Sequence, residues 1–155
     1  MRKLGLVFII VMFVSLFVAS SLFAENTWEY KEDEDMDGMT KTLTSWDKNF
    51  ITEESMAIQI SNIYNFNFVV IISSFKIKDT FLIRFKFDDN PAELFHVNHL
   101  SNGNSYVIDR YEIDEFLSKL RKAKRVMVEL PTEEHGNVCG KFYTEGLDLS
   151  KIGIK

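Results

Sequence analysis

The stretch Thr80–Phe87, TFLIRFKF, decides the fold class. Phe81, Ile83, Phe85 and Phe87 recur at every second position, with Arg84, Lys86 and then Asp88 on the alternate register. Side chains of an extended chain point alternately to opposite faces. The segment therefore reads as a strand with one aromatic face turned inward and one charged face in water. Asp88-Asp89-Asn90-Pro91 reads as the turn that ends it.

Segments on both sides repeat the strand signal. Thr27–Lys31, Lys41–Trp46 and Met56–Ile60 are short runs of alternating or strand-forming residues. Phe66–Ile72, FNFVVII, is apolar on both registers, so it is expected deep in a sheet or between sheets, with both faces covered. Glu93–Leu100 and Ser105–Ile108 flank Asn102-Gly103, a dipeptide that marks a hairpin because both residues tolerate positive φ. Arg125–Leu130 and Asn137–Tyr143 complete the series. Roughly seven to nine short strands without strand–helix alternation imply a mainly β protein, a sandwich of two antiparallel sheets.

One amphipathic helix is expected in the C-terminal half. Ile113, Phe116, Leu117 and Leu120 fall at i, i+3, i+4 and i+7. Asp109 and Glu112 have the spacing of a capping box, and Ile108 and Ile113 that of a hydrophobic staple. Lys119, Arg121 and Lys122 end the helix where cations suit its dipole. Leu147–Ile152 reads as a short terminal helix.

The N-terminus carries a different message. Arg2 and Lys3 precede an apolar run from Leu4 to Val18, followed by Ala19-Ser20-Ser21-Leu22-Phe23-Ala24. This is the layout of a secretory signal peptide over residues 1–24, cut after Ala24 or after Ser21. An uncleaved anchor is the alternative, since the run approaches a bilayer span of about 20 residues. Residues 25–155 are then a single β-rich domain, periplasmic or secreted. Without Arg2 and Lys3, 16 of the 18 basic residues remain against 23 acids, a formal charge of −7. So acidic a surface argues against nucleic-acid binding.

Candidate chemistry is sparse. Asp33, Asp35, Asp37 and Gly38 match the first, third, fifth and sixth positions of an EF-hand calcium loop, and Met39 would offer its carbonyl at the seventh. The closing bidentate glutamate is replaced by Thr44, and the flanks read as strands. Asp33, Asp35 and Asp37 are thus a weak calcium candidate beside the plainer reading of an acidic hairpin. Cys139, the single cysteine, excludes an internal disulfide and is expected to be a buried, inert thiol. As a nucleophile it would need a base, and His135 lies across a turn. His96 and His99, three apart on a strand, point to opposite faces and cannot share a metal without a bulge. Nucleophile elbow, phosphate loop and zinc signature are all absent from the sequence.

Four strings, W-x-Y…D-x-D-M from Trp28, IRFKFDD from Ile83, FLSKLRKAKRVMVEL from Phe116 and GKFYTEGL from Gly140, together resemble a family of small exported bacterial and phage-associated β-sandwich proteins. The family includes type VI secretion accessory proteins of the VasI/TagO group. The resemblance implies a periplasmic or surface non-enzymatic domain with no catalytic residues to carry over. It implies framework roles for Trp28, Arg84, Asp88, Phe142, Gly146 and Leu147. The expected function is therefore an exported binding or accessory domain whose partner is an envelope or secretion-associated protein. No cofactor is expected beyond weak calcium, and no membrane contact beyond the N-terminal segment. The alternatives are a small metal- or thiol-dependent hydrolase and a calcium-binding module.

Overall fold

The computed structural model describes residues 27–35, 38–49, 54–101 and 104–155. The expected signal segment 1–24, Asp37 and the Asn102-Gly103 turn lie outside the described residues. Among the described residues nine strands appear in chain order: β1 (Glu29–Asp35), β2 (Gly38–Asn49), β3 (Glu54–Ile63), β4 (Phe66–Ser73), β5 (Leu82–Phe87), β6 (Glu93–His99), β7 (Ser105–Ile108), β8 (Arg125–Thr132) and β9 (Gly136–Tyr143). Helix α1 (Ile113–Lys122) connects β7 to β8, and a 3₁₀ turn (Leu149–Ile152) follows β9.

All strand pairings are antiparallel, and the strands form one sheet in the order β1-β2-β3-β4-β7-β6-β5-β8-β9. The sheet curls until β9 lies against β2 and β3. The mainly β, antiparallel architecture expected from the alternation is thus present, but as one continuous nine-stranded sheet in place of the expected sandwich of two, because β6 pairs with both β5 and β7 and joins the two groups of strands. Leu43, Ile60 and Val69 stand in one inward cross-strand row, and Ile58, Ile71 and Tyr106 in the next. All six are buried.

Helix α1 joins the interior through the four residues of its apolar stripe, Ile113, Phe116, Leu117 and Leu120, all buried. Phe116 meets Phe85, Phe87 and Phe95 edge-on at centroid distances of 5.0, 5.5 and 5.3 Å. Edge-to-face geometry places the positive ring edge over the negative ring face and adds to the area buried. Lys119 Nζ reaches Glu93 Oε2 at 2.6 Å and ties the outer side of the helix to β6.

Three local expectations change. Phe81 does not share the inward face of Ile83, Phe85 and Phe87, for it is 75% exposed. The strand begins one residue later, and Phe81 sits in a bend where Thr80 Oγ1 accepts the Leu82 N–H. The capping box is not formed either. Helix α1 starts at Ile113, and Asp109 Oδ1 instead accepts the Tyr111 N–H in a local turn. Glu112 is drawn away to β6, where its carboxylate accepts the His96 N–H at 2.6 Å and meets His96 Nδ1 at 2.8 Å. Finally, the acidic stretch is not wholly a loop, because β1 runs through Asp35 and pairs that residue with Gly38.

Candidate functional site

The outer face of β2, β3, β4 and β7 is the most distinctive surface of the described residues. Strand register builds it row by row. Trp46, Ala57, Ile72 and Ser105 form one row. Thr44, Gln59, Val70, Val107 and Asn98 form the next. Thr42, Ser61 and Phe68 follow, then Thr40, Ile63 and Phe66. These rows contain no charged residue, although 26% of the chain is charged. The apolar spine is β4, whose inward residues Val69 and Ile71 are buried in the core. Its outward residues Phe68, Val70 and Ile72 are only half-buried, and Phe66 is 54% exposed. The sequence calls for cover on both faces of this strand, and the described residues cover one. Along the margin, β1 sets Glu29, Lys31 and Asp33 opposite Thr44, Thr42 and Thr40.

The sheet edges are less available. β1 presents a dense run of charge, which opposes pairing with another strand. On β9, Asp47 Oδ2 accepts the Lys141 N–H at 2.7 Å, and Trp28 Nε1 donates to the Tyr143 carbonyl at 2.9 Å. Side chains from the opposite end of the sheet thereby occupy backbone groups that an added strand would need.

A hollow of about 510 Å³ opens at one corner of the uncharged face. It lies where β4 begins, beside the end of β7 and the start of α1, with Phe66 and Phe68 among its walls. Arg110 holds its guanidinium 5.4 Å from the centre of the Phe66 ring, a cation–π distance. Asn65 and Asp114 also line it, with Asn65 in the left-handed backbone region at φ 68°.

A second hollow, about 490 Å³, lies on the outer face of β5, β8 and β9 and brings Arg84, Lys86, Glu129 and Cys139 together. Arg84 is exposed and pairs loosely with Glu129, Nη1 to Oε1 at 3.4 Å. Cys139 is exposed, not buried as its strand context implied, because it falls on the outward register of β9 beside buried Gly140. Its Sγ lies 4.0 Å from Glu129 Oε2. Partial burial and the Glu129 carboxylate push the thiol pKa up, against a smaller opposing pull from Arg84. That environment favours the neutral thiol, whereas a nucleophilic cysteine needs the thiolate. No histidine lines this hollow; His135 meets Glu134 at 4.0 Å and the Phe75 ring instead.

The remaining singled-out residues are spread over the fold. Asp33 is exposed and pairs with Lys31 at 2.7 Å. Asp37 and the side chain of Asp35 lie outside the described residues, and no group of three metal-binding side chains forms among those described. His96 joins Glu112, while His99 stacks on Tyr106. Asp88 has φ 51°, and its Oδ1 accepts the N–H groups of Lys124 and Arg125 at 2.8 and 3.0 Å. Phe142 is fully buried, Leu147 packs against the core, and Gly146 has φ 77°, a conformation that suits glycine. Trp28, Asp88, Phe142 and Leu147 thus touch backbone or core, Gly146 is exposed in a turn, and Arg84 touches solvent and Glu129.

No family model matches the chain, and no curated protein matches it. Among solved structures it is similar to invasion associated protein B from Bartonella henselae, with a TM-score of 0.50 and 10% identity, over 76% of this chain and 82% of that one. The likeness is one of fold. Sequence reasoning passed over the uncharged face, since it appears only when strands distant in the chain are set side by side. Its one local trace was the two-sided apolar pattern of Phe66–Ile72.

Proposed function

We propose that this chain is an exported, non-enzymatic binding or accessory domain of the bacterial envelope that docks a protein partner on the outer face of β2, β3, β4 and β7. One observation carries the reading: in an acidic chain, the outward rows from Thr40 to Trp46 across four adjacent strands hold no charge, the next row bringing Lys48, and they share an apolar spine of Phe66, Phe68, Val70 and Ile72. Interface cores are depleted in charge and enriched in aromatic residues, and this face has both properties. The guarded edges favour face-to-face docking over strand addition. The raised thiol pKa of Cys139 weighs against the thiol-hydrolase alternative.

The signal-like N-terminus supports export to the periplasm or beyond. The four sequence strings support a more specific role, as an accessory protein akin to the VasI/TagO group of type VI secretion. A fold like that of a protein named for invasion is compatible with the coarser reading, an accessory or binding role. The test is an outward charge: Ile72→Lys keeps the melting temperature within a few degrees and abolishes co-migration with an envelope partner on native gels. An Ile72→Lys chain that keeps its partner overturns the proposed surface.

A further inference from the structure

We infer that the corner hollow beside Phe66 is a binding site for a neutral saccharide. The hollow has the volume of a small-molecule site, about 510 Å³, and the usual make-up of one, apolar walls with a few polar groups that fix orientation. Its polar groups are of one kind. Asn65, Asn98, Arg110 and Asp114 all end in planar, forked groups, whereas Asn67 lies on the opposite register of β4 and accepts a hydrogen bond from Asn62; among the described residues neither lysine nor glutamate lines the hollow. An amide offers a donor and an acceptor side by side, a guanidinium offers parallel donors and a carboxylate parallel acceptors. Adjacent hydroxyls on a sugar ring, each both donor and acceptor, are the complement of such forks.

The walls supply the other half of the match. Phe66 is 54% exposed, with the Arg110 guanidinium over one side of its ring, so a ligand would use the other side; an aromatic face is the negative side of its quadrupole. The C–H-rich face of a pyranose is apolar and weakly positive, so it suits that surface. The formal charges of Arg110 and Asp114 cancel, which favours an uncharged ligand over an acidic or a basic one.

A peptide fits less well. Beyond its last partner position with β7, Val70, strand β4 leaves four residues, Phe66–Val69, without a ladder neighbour on that side among the described residues. Added strands of the usual five or six residues need a longer edge.

This inference goes beyond protein docking, and the two separate along β4. Phe66 lines the hollow, while Ile72 lies six residues away, about 20 Å along an extended strand. The experiment titrates the full exported chain, labelled with nitrogen-15, with short neutral oligomers of N-acetylglucosamine, glucose and mannose, and with a glucuronic acid oligomer and an acidic peptide for comparison. Expected are saturable amide shifts centred on Phe66, Asn98 and Arg110 with at least one neutral oligomer. Asn98→Ala, at an exposed site, weakens that binding about tenfold, the worth of one well-placed hydrogen bond. Phe66→Ala weakens it at least as much, and Ile72→Lys leaves it unchanged. The inference is overturned if no neutral oligomer shifts these amides at millimolar concentration. It is also overturned if the charged oligomer or the peptide binds more tightly there, or if Asn98→Ala, still folded, binds as well as the parent.

Discussion

Asp88 and Arg125 are joined by two hydrogen bonds: the Arg125 N–H donates to Asp88 Oδ1, and the Asp88 N–H donates to the Arg125 carbonyl, each at 3.0 Å. The pair fixes where β5 ends and β8 begins, and the Lys124 N–H adds a third bond to the same carboxylate oxygen. Asp88 holds a left-handed backbone, φ 51°, which short polar side chains tolerate better than most. Asp88→Ala loses both side-chain bonds and keeps the unfavourable φ, so a loss of about 2–4 kcal/mol is expected in urea unfolding. Asp88→Asn keeps an acceptor oxygen and should lose about 1 kcal/mol or less. Equal losses would mean that the carboxylate does not hold this junction.

The aromatic cluster gives a second expectation. Phe116 is fully buried among Phe85, Phe87 and Phe95, so Phe116→Ala should cost about 3–5 kcal/mol. Phe81 is 75% exposed, ahead of the first residue of β5, so Phe81→Ala should stay within about 0.5 kcal/mol of the parent. Chemical denaturation of both variants checks the strand's starting point. A large loss at position 81 would place that ring inside with Ile83 and Phe85 after all.

Cys139 should behave as a slow thiol. Its pKa is raised from 9.0, first by burial and then by Glu129, so less thiolate is present at pH 8 than in an unstructured peptide. Reaction with an aromatic disulfide reagent should be slower than that of a free cysteine peptide, and Glu129→Gln should speed it. A rate above that of the peptide would point to an activated nucleophile and reopen the hydrolase reading.

Asp148 gives a pH dependence with a definite sign. Its carboxylate accepts hydrogen bonds from the Ser150 hydroxyl and N–H, and these, the hydroxyl first, lower its pKa below 3.8. A group with a depressed folded pKa stabilises the fold above its unfolded value and stops doing so as pH falls through the folded value. The Ser150 amide shift should therefore titrate with a midpoint below 3.8. A midpoint at or above 3.8 would contradict the cap.

Much of the fold was legible because its signals are local. Alternation in Ile83–Phe87 and the stripe from Ile113 to Leu120 depend only on the period of a strand or a helix. Three details depended on partners far along the chain. Glu112 forgoes the helix cap for His96, Cys139 faces out because of the register of β9 on β8, and Asp47 closes β9 from β2. The candidate face was hidden for the same reason, since Trp46, Ala57, Ile72 and Ser105 become neighbours only in the assembled sheet.

Site-specific photo-crosslinking in the intact envelope tests the docking face most directly. A photoreactive residue in place of Val70, at the centre of the uncharged rows, should capture one protein of defined mass, and Ile72→Lys should abolish the adduct. The same residue in place of Lys86, on the outer face of β5, should capture none. An adduct at position 86 with none at position 70 would contradict the account.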